Sequence, residues 1–475
     1  MKLKRKFILT EKIMDILLIN PPWYKKSGNI WKNISACLPP FGLALLASLA
    51  REKGFRVSIL DCNALRLGLD RIEEYLPTPG PKFVGITATT VLISNALELA
   101  QIIKKKYPET KVIMGGVHPT IMPEEVLNFE AVDYLVMSEG EYSFLELLSN
   151  RASSEIKGIG FKRNGKSVIN PPQETIPDIN VFPMLAYDLL PMDKYYPALG
   201  SYKRLPSSGM ITSRGCPGRC TFCKGNILGE RIRFRSARKI FDEIVFLQKN
   251  YGIRDICFYD DTFTTYKQNV KDFCELILKN QFDLTWSCFS RVDTVDFETL
   301  KKMKKAGCHQ IMYGVESADP KILENLNKRF TLQKVKETVW ATKKAGLNIR
   351  LAFMIGSPGE TEETVKKTIK YAIYLDPDFV SFNITTPYPG TEMFSWAEKN
   401  KFLIHKDWQR YDLATPVMEL PTISSEKVLS YYKKAHRQFY FRPSYILKRL
   451  TKIRSLEDIK MHIKSFIDLV QFGFE

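Results

Sequence analysis

The chain has 475 residues, of which 44% are hydrophobic and 26% are charged, and its formal net charge is +18. This length predicts two or three domains, and the positive charge suits a protein that meets anionic ligands, nucleic acid or anionic lipid. No run of about 18 apolar residues is present, and the basic start is followed by too short an apolar run for a signal peptide. With its free thiols, the sequence predicts a cytoplasmic protein.

The first predicted domain spans residues 1–150, in which short apolar runs alternate with longer amphipathic segments. The runs that predict strands lie at 15–20, 56–60, 83–88, 111–115 and 133–137. Helix-period segments such as 41–53 and 94–107 separate them. Five such units predict an α/β domain, a Rossmann-like parallel sheet of the flavodoxin type with helices on both faces. Ligands of such sheets lie beyond the carboxyl ends of the strands.

The loops at those strand ends are rich in glycine, proline and small hydroxyl residues. Glycines allow a backbone to approach a ligand closely, and hydroxyls hold its polar rim. Taken singly, each loop is more simply explained by ordinary turn chemistry. The candidate binding residues are Asn20, Pro21, Pro22, Gly42, Thr87, Thr89, Gly115, Gly116, His118, Pro119, Thr120, Glu139, Gly140 and Glu141.

Residues 151–205 show a different pattern and are predicted to be a linker. Residues 160–169 form a predicted hairpin with an Asn-Gly turn, and five prolines follow before residue 192. The prolines interrupt any regular element, so we expect this segment to cross from one domain to the next.

The second predicted domain, residues 206–392, again alternates strands with helices. Predicted strands lie at 210–213, 255–259, 284–289, 310–315, 349–355 and 379–385. Predicted helices lie at 237–250, 267–279, 296–306, 332–344 and 362–374. Six such units predict a partial (β/α)6 barrel of the TIM type, with its site at the carboxyl ends of the strands.

Three cysteines, Cys216, Cys220 and Cys223, follow the first of these strands. Three thiolates on one loop can wrap one face of a [4Fe–4S] cluster and leave the fourth iron open. Structural zinc fits less well, because it needs four ligands and no fourth follows nearby. A disulfide framework also fits poorly, since the chain has nine cysteines, an odd number, and the other six lie in apolar stretches.

The C-x3-C-x2-C spacing, with Phe222 before the last cysteine, resembles the signature of the radical S-adenosylmethionine (SAM) enzymes. The resemblance implies that the three cysteines hold the cluster and that the open iron chelates SAM. One electron then cleaves SAM to a 5′-deoxyadenosyl radical, which implies a reductant of the flavodoxin or ferredoxin class.

The same resemblance implies further SAM contacts at the strand ends. Phe222 is expected near the adenine, and the other positions are Asp260 and Asp261 for the amino group, Ser290, Arg291 and Glu316 for the carboxylate and ribose, and Gly356 and Pro358 for the adenine side. Each position also has a plainer interpretation as an ion pair, a helix cap or a turn.

The loops of the first domain, taken in order, resemble the cobalamin-binding domain of one large radical SAM subclass. The run from Gly115 to Thr120, followed by Glu139-Gly140-Glu141, is especially similar to it. The chain lacks the Asp-x-His-x-x-Gly pattern by which other cobalamin proteins supply an axial histidine. His118 is therefore expected to contribute backbone or rim contacts rather than to ligate cobalt.

Residues 393–475 are predicted to be mainly helical and basic. Residues 433–464 include ten Lys or Arg and only two acidic residues. Apolar residues recur nearby at helical spacing, namely Ile459, Ile463, Phe466, Ile467 and Val470. Such a segment either lies on a membrane or docks on the barrel, and docking is the commoner arrangement. Nucleic acid is disfavoured because aromatic-basic RNA motifs are absent.

The function implied is that of a cobalamin-dependent radical SAM C-methyltransferase. One SAM methylates the cobalt, a second yields the radical that removes hydrogen from an unactivated carbon, and the substrate radical takes the methyl group from methylcobalamin. One alternative is a cobalamin-dependent cyclisation, ring contraction or oxidation without methyl transfer. Another is an RNA- or membrane-binding protein with a structural cluster. A small-molecule, lipid or peptide substrate remains open.

Overall fold

The computed structural model describes residues 14–23, 36–198 and 200–451. These residues divide into two compact units. The first contains residues 14–23 and Cys37–Tyr195, and the second contains the described residues from Tyr196 onward. Within the described part of the chain, no helix is both long enough and apolar enough to cross a bilayer.

The first unit is built on a seven-stranded sheet. Its strands are β1 Ile16–Asn20, β2 Val57–Asp61, β3 Phe83–Thr87, β4 Lys111–Gly115, β5 Tyr134–Val136, β6 Ile159–Arg163 and β7 Lys166–Ile169. The strand order is β2-β1-β3-β4-β5-β6-β7, and the first five are parallel. The order 2-1-3-4-5 is that of flavodoxin-type sheets, whose switch point lies between β1 and β3. The predicted fold of this unit is confirmed.

Helices cover both faces of this sheet, which explains why its strands are continuous apolar runs. The four residues Ile16 to Ile19 are at most 1% exposed. The helices are α1 Phe41–Glu52, α2 Cys62–Leu65, α3 Ile93–Lys106, α4 Val117–Ile121, α5 Pro123–Leu127 and α6 Glu141–Leu148. Short 3-10 turns lie at Leu69–Tyr75, Thr90–Leu92, Ser153–Glu155, Ile179–Val181 and Tyr187–Leu189.

The hairpin predicted as part of a linker extends the sheet of the first unit instead. Strand β6 pairs antiparallel with β5, and β7 pairs antiparallel with β6. Asn164 and Gly165 both have positive φ, as a tight hairpin turn requires. Ile159 and Phe161 are buried against the sheet, so pairing and apolar burial together hold the segment. The Tyr195 hydroxyl, at the end of the unit, donates to Asp61 at 2.9 Å.

The second unit is built on a six-stranded parallel sheet whose strands lie in chain order. They are β8 Ser207–Met210, β11 Asp255–Phe258, β12 Thr285–Ser290, β13 Cys308–Glu316, β14 Asn348–Ile355 and β15 Phe379–Ile384. A separate antiparallel pair, β9 Ser213–Arg214 and β10 Arg233–Phe234, follows β8. The helices between the strands are α7 Ala237–Tyr251, α8 Lys267–Lys279, α9 Phe297–Lys305, α10 Pro320–Asn325, α11 Leu332–Lys344 and α12 Glu362–Leu375. This is the predicted partial (β/α)6 barrel.

The core of the barrel lies between its sheet and these helices. Trp286 is fully buried, and its ring lies 5.6 Å from that of Phe258 and 5.7 Å from that of Phe273. Edge-to-face aromatic contacts of this kind stabilise the fold beyond the contribution of the apolar area that they bury. The three rings join β11 and β12 to α8 and leave the carboxyl ends of the strands to build a site.

After the barrel come α13 Glu392–Lys399, α14 Ser425–Tyr440 and α15 Pro443–Leu450. Helix α14 packs along β15, the edge strand of the sheet. The Tyr440 hydroxyl accepts a hydrogen bond from Val380 N at 3.0 Å and donates to Val380 O at 2.5 Å. The Tyr445 hydroxyl donates to Asp378 O at 2.9 Å. These tyrosines protect an edge whose backbone groups would otherwise pair with another strand.

Basic residues of this C-terminal region face the barrel. Lys448 Nζ lies 2.7 Å from Asp376, and Arg442 donates to Ile373 O at 3.2 Å. Leu447 and Leu450 are instead 64% and 57% exposed. Helix α14 also buries Val428, Ala435 and Phe439. Docking of the described part therefore uses apolar residues as well as cations and tyrosines. The apolar positions predicted to hold the barrel, Ile459, Ile463, Phe466, Ile467 and Val470, lie outside the described residues.

Replacing Tyr440 by Phe is expected to lower the free energy of unfolding of the second unit by about 1–2 kcal/mol, because Val380 loses a partner for both backbone groups. Tyr374→Phe is the matched control, since Tyr374 is 56% exposed, and should change it by less than about 0.5 kcal/mol. Urea unfolding of the full chain measures both. Equal stability of the two variants would contradict this account of the edge strand.

Candidate functional site in the second unit and its counterpart in the first

The loop that carries the three cysteines leaves β9 and returns through β10. Gly215, at its start, has a φ of +85°, which favours glycine. A Cβ there would lie 2.6 Å from Arg231 O and 2.7 Å from Gly229 O. Cys216 N donates to Gly229 O at 3.3 Å. The base of the loop is therefore closed by backbone contacts that leave no room for a side chain.

The far side of the loop is held by segments distant in sequence. Thr221 N donates to Leu326 O at 3.2 Å, and Thr221 Oγ1 donates to Asn325 O at 3.1 Å. Met393 N donates to Thr221 O at 2.8 Å. The ring of Phe222 packs on a buried apolar cluster formed by Ile322, Leu326 and Met393. These contacts fix the segment between Cys220 and Cys223.

The cysteine sulfurs gather around two glycines. A Cβ on Gly218 would lie 3.3 Å from Cys216 Sγ and 3.9 Å from Cys220 Sγ. A Cβ on Gly225 would lie 3.5 Å from Cys223 Sγ, which accepts a hydrogen bond from Gly225 N at 3.2 Å. The three thiols are free, and none is fully buried. The loop thus presents three sulfurs and little other bulk.

This donor set fits an iron–sulfur cluster better than a single ion. Among the described residues, no group of three His, Cys, Asp or Glu side chains converges closely enough to hold one metal ion. A cubane cluster places each thiolate on a different iron, so its ligands stand further apart. Burial raises the pKa of the Cys216 thiol, and iron binding would remove the thiol protons. We therefore assign Cys216, Cys220 and Cys223 as the residues that would hold the cluster.

Arg291 follows β12 and points toward the cysteine loop. Asp293 binds its guanidinium through two hydrogen bonds of 2.9 and 2.8 Å. The Nη1 atom lies 3.5 Å from the position that a Cβ on Gly218 would take. The bidentate contact fixes the plane of the guanidinium, so Arg291 is suited to receive a carboxylate beside the cysteines.

The two aspartates after β11 take different roles. Asp260 Oδ1 accepts from Thr212 N at 2.8 Å and from Ser213 Oγ at 2.6 Å, while its Oδ2 accepts from Thr212 Oγ1 at 2.8 Å. Asp260 is buried and anchors the start of the loop. Asp261 Oδ2 instead lies 3.3 Å from the Cβ position of Gly225. Of the pair predicted for the SAM amino group, Asp261 is the one that faces the cysteines.

Ser290 is also engaged within the protein. It is buried, and its hydroxyl lies within hydrogen-bonding distance of Thr264 Oγ1 and 3.2 Å from Thr294 Oγ1. This hydroxyl cluster shapes the turn after β12. Ser290 precedes Arg291 of the site in the sequence, but its hydroxyl forms hydrogen bonds within the turn.

Glu316, at the end of β13, forms a buried ion pair that the sequence did not predict. Its Oε1 lies 2.9 Å from Lys328 Nζ. Lys328 follows α10 and its Nζ lies 5.6 Å from the ring centroid of Phe222. No spacing pattern links a lysine twelve positions downstream to a strand-end glutamate, so only the fold reveals the pair.

The turn after β14 is shaped by Glu360. Its Oε2 accepts from Gly356 N at 2.6 Å and from Ser357 N at 3.0 Å, and burial raises the pKa of Glu360 to about 7. Gly356 has a φ of +90°. Pro358 O accepts from Asn325 Nδ2 at 2.8 Å. The predicted adenine-side turn is thus rigid and tied to the helix that supports the cysteine loop.

In the first unit, the loop after β1 is held by side-chain amides. Asn63 Nδ2 donates to Pro21 O at 2.9 Å, and Asn95 Nδ2 donates to Pro22 O at 2.8 Å. Asn20 Nδ2 donates to Asp61 Oδ1 at 2.9 Å. Asp61, Asn63 and Asn95 carry no recognisable motif, so the sequence did not single them out.

The loops after β3 and β4 meet at Gly116. Its φ is +101°, and a Cβ there would lie 2.8 Å from Ala88 O and 2.9 Å from Thr87 Oγ1. Thr120 Oγ1 donates to Gly116 O at 2.8 Å and accepts from Ser138 N at 2.9 Å. The structure therefore brings the predicted loops after β3, β4 and β5 together. Glycine is needed at position 116 because neighbouring protein atoms leave no room for a side chain. Thr89 O, in the same corner, accepts from Leu92 N at 3.0 Å.

His118 is fully buried in the first unit. Its Nδ1 lies 3.3 Å from Thr90 Oγ1, and its Nε2 lies 3.6 Å from Glu125 Oε1. Pro119, beside it, is buried as well. Neither side chain lines an open surface of this unit.

The Glu139-Gly140-Glu141 run forms the corner between β5 and α6. Glu139 Oε2 accepts from Ile176 N at 2.7 Å. A Cβ on Gly140 would overlap the side chain of Val136, and Glu141 is buried. The three residues serve the corner itself. Gly42 differs, because a Cβ there would meet no atom within 4 Å.

Comparisons with known proteins agree with both halves of this description. Residues 210–372 match the radical SAM superfamily, and residues 30–148 match the B12 binding domain. An uncharacterized methyltransferase of Pyrococcus horikoshii, PH0819, is 38% identical over 443 residues, which cover 92% of this chain and 95% of that protein. The chain belongs to the cobalamin-binding radical SAM enzymes.

Other similar proteins share less sequence identity with this chain. The anaerobic magnesium-protoporphyrin IX monomethyl ester cyclase of Rubrivivax gelatinosus is 28% identical, over 97% of this chain and 83% of that protein. The solved structure of the cobalamin-dependent radical enzyme OxsB, with aqua-cobalamin and SAM bound, has a TM-score of 0.75 at 18% identity. It covers 98% of this chain and 72% of that chain, and it supports the fold.

As a cobalamin-binding radical SAM enzyme, the chain uses a [4Fe–4S] cluster, SAM and cobalamin. The cysteine loop fits the cluster. In the first unit, the carboxyl ends of the parallel strands offer backbone loops fixed by amides, and the open space over Gly42 suits close approach of a flat ligand.

Replacing Asp260 by Ala is expected to lower the free energy of unfolding by about 2–4 kcal/mol, because it leaves Thr212 and Ser213 donors unpartnered. Iron uptake at the loop should fall with it. Asp261→Ala is the matched control and should keep both stability and iron. Thermal unfolding and an iron assay decide this, and equal losses in the two variants would contradict the assignment of Asp260 as an anchor.

Gly42→Leu is expected to reduce cobalamin binding without a loss of stability, because a Cβ at this position meets no protein atom within 4 Å. Glu52→Leu, at the other end of α1, is the control. Cobalamin retained after gel filtration is read from its absorbance. Gly116→Leu would not serve, since it disturbs the fold itself. Wild-type retention by the Gly42→Leu protein would remove Gly42 from the cobalamin site.

Proposed function

We propose that this chain is a cobalamin-dependent radical SAM C-methyltransferase. It would move a methyl group from SAM, through cobalamin, to an unactivated carbon of its substrate. The observation that carries the proposal is the presence in one chain of a three-cysteine barrel loop and a 2-1-3-4-5 sheet with a B12 binding match. The 38% identity to a methyltransferase along nearly the whole chain supports methyl transfer as the outcome.

When bound, the cluster and SAM supply a one-electron cleavage of a carbon–sulfur bond, and cobalamin supplies a cobalt centre able to carry a methyl group. The protein's own part is to bind, orient and shield. The cysteine loop is closed at Gly215 and held at Thr221, so its three sulfurs are positioned before any ligand arrives. Such preorganisation reduces the ordering cost of binding.

The charges near the loop match the amino-acid end of SAM. Arg291, oriented by Asp293, is placed to receive the carboxylate. Asp261 is placed to accept from the ammonium group. Phe222 packs against α10 and the residue that follows it, and the Gly356-to-Pro358 turn is hydrogen-bonded to the end of α10. Both would flank the adenine. The resemblance to radical SAM enzymes implies these roles, and the charges of the residues and their position at the carboxyl ends of the strands support them.

In the first unit, we propose that cobalamin is held by backbone loops and not by an axial histidine. His118 is fully buried beside Thr90 and Glu125, away from the surface of the unit. Asn63 and Asn95 fix the carbonyls of the loop after β1. The lower face of cobalt would then lack a protein imidazole.

A second candidate function is a cobalamin-dependent cyclisation or oxidation without methyl transfer. The observation in its favour is the 28% identity to a magnesium-protoporphyrin IX monomethyl ester cyclase over 97% of the chain. The mass of the product separates the two functions, because only methyl transfer adds a carbon.

The proposed partners follow from the chemistry. The substrate is a small molecule, a lipid or a peptide, and the electron donor is a protein of the flavodoxin or ferredoxin class. We propose a cytoplasmic location, since all nine cysteines are free thiols.

The test is anaerobic reconstitution with iron, sulfide and cobalamin, followed by incubation with deuterated-methyl SAM, a reductant and extract. We expect 5′-deoxyadenosine and a product bearing one labelled methyl group. A protein with Cys216, Cys220 and Cys223 all replaced by Ala should give neither, because it lacks the cluster ligands. 5′-Deoxyadenosine without any labelled product, in extracts where an unlabelled product gains a ring, would favour the cyclase function.

A further inference from the structure

Lys328 and Glu316 form an ion pair that is almost completely removed from water. Their side chains are 8% and 10% exposed, and Lys328 Nζ lies 2.9 Å from Glu316 Oε1. Burial of each ion costs several kcal/mol, and well-packed apolar residues often give equal stability. Stability alone is therefore a weak reason for this pair, and its surroundings suggest another.

The ammonium group of Lys328 lies against the cysteine loop. Its Nζ lies 5.6 Å from the ring centroid of Phe222 and 5.6 Å from that of Phe330. Phe222 lies between Cys220 and Cys223 in the sequence. Burial opposes the charge of Lys328, yet Glu316 and Cys220 raise its pKa above the ordinary value. The ion pair with Glu316 thus holds a cation against the Phe222 segment of the cysteine loop.

The end of β13 is bent in a way that brings the carboxylate of Glu316 to this lysine. The pairing of β13 with β14 shifts register between Gly314 and Glu316, as in a bulge. Glu316 has a φ of +70°, which is unfavourable for a residue with a side chain. A Cβ on Gly314 would collide with Glu316 Oε1 and lie 3.5 Å from Lys328 Nζ. Bulges and left-handed residues of this kind concentrate at functional sites.

We infer that Lys328 is a positioning residue of the SAM site. It holds the Glu316 carboxylate in one orientation, braces the Phe222 segment of the loop, and places a fixed positive charge beside that segment. The inference rests on the proposed function, because it takes the three cysteines as the cluster ligands. Glu316 is the residue that would contact SAM, and Lys328 acts through it.

Two measurable effects follow. Removal of the cation leaves the Glu316 charge beside the cluster, which disfavours the added electron, so the midpoint potential should become more negative. Loss of the fixed carboxylate should raise the Kd for SAM by about 10- to 100-fold, which is the usual contribution of one charge-assisted hydrogen bond. A purely structural lysine would produce neither effect in a protein that still holds its iron.

The experiment compares Lys328→Met, Lys328→Arg and the double variant Lys328→Met with Glu316→Gln in the reconstituted full chain. Lys321→Met is the matched control, because Lys321 lies seven residues earlier, is 71% exposed and pairs with Glu324. Iron content, the midpoint potential followed by electron paramagnetic resonance, and the Kd for SAM from spectral titration are measured for each.

We expect Lys321→Met to match the wild type and Lys328→Met to keep its iron with a more negative potential and weaker SAM binding. Lys328→Arg should restore the potential. The double variant removes both charges, so its potential should return toward that of the wild type while SAM binding stays weak.

Wild-type potential and SAM affinity in Lys328→Met would overturn the inference alone. So would a Lys328→Met protein that loses its iron while the double variant regains both iron and wild-type SAM affinity, since the pair would then serve only folding. A wild-type chain that takes up no cluster would overturn the proposed function and this inference with it.

Discussion

Three sulfurs from one short loop must face the same small volume, and the rest of the second unit is arranged to make that possible. A loop of this length has too few internal contacts to hold a single shape. It is held at its start by Asp260, at its base by Gly215, and at its far side by Thr221. Each holds a different part of the loop through backbone groups or hydroxyls, so the sulfurs stay free to bind iron. The barrel supplies this support because parallel strands end at one edge.

The strands and most helices could be predicted from the sequence because each is a local pattern. Apolar runs such as Ile16 to Ile19 form strands covered on both faces, and helices α1 and α3 begin and end within about a residue of their predicted limits. The sequence places the hairpin in a linker, because five prolines follow it. What places it in the sheet is the pairing of β6 with β5, a contact that no local pattern reveals.

The candidate site divides in the same way. The three cysteines could be read directly, since their spacing is local. The roles of Asp260 and Ser290 could not be predicted, because their partners lie elsewhere in the chain. Asp260 accepts a hydrogen bond from Thr212, and the Ser290 hydroxyl forms one with Thr264. The sequence does not indicate a role for Lys328. Its place beside Phe222 depends on how α10 packs against the cysteine loop, and a lone lysine gives no signal of that. Glycine loops in the first unit likewise proved to serve the protein's own corners, as Gly116 does.

The central claim is that three cysteines leave one iron open for the amino and carboxylate groups of SAM. Electron–nuclear double resonance of the reduced, reconstituted protein with ¹⁵N- and ¹⁷O-labelled SAM tests it most directly. The account predicts hyperfine coupling of both labels to the cluster in the wild-type chain. A fully loaded cluster that shows coupling to neither label would contradict it, because no iron would then be open to SAM.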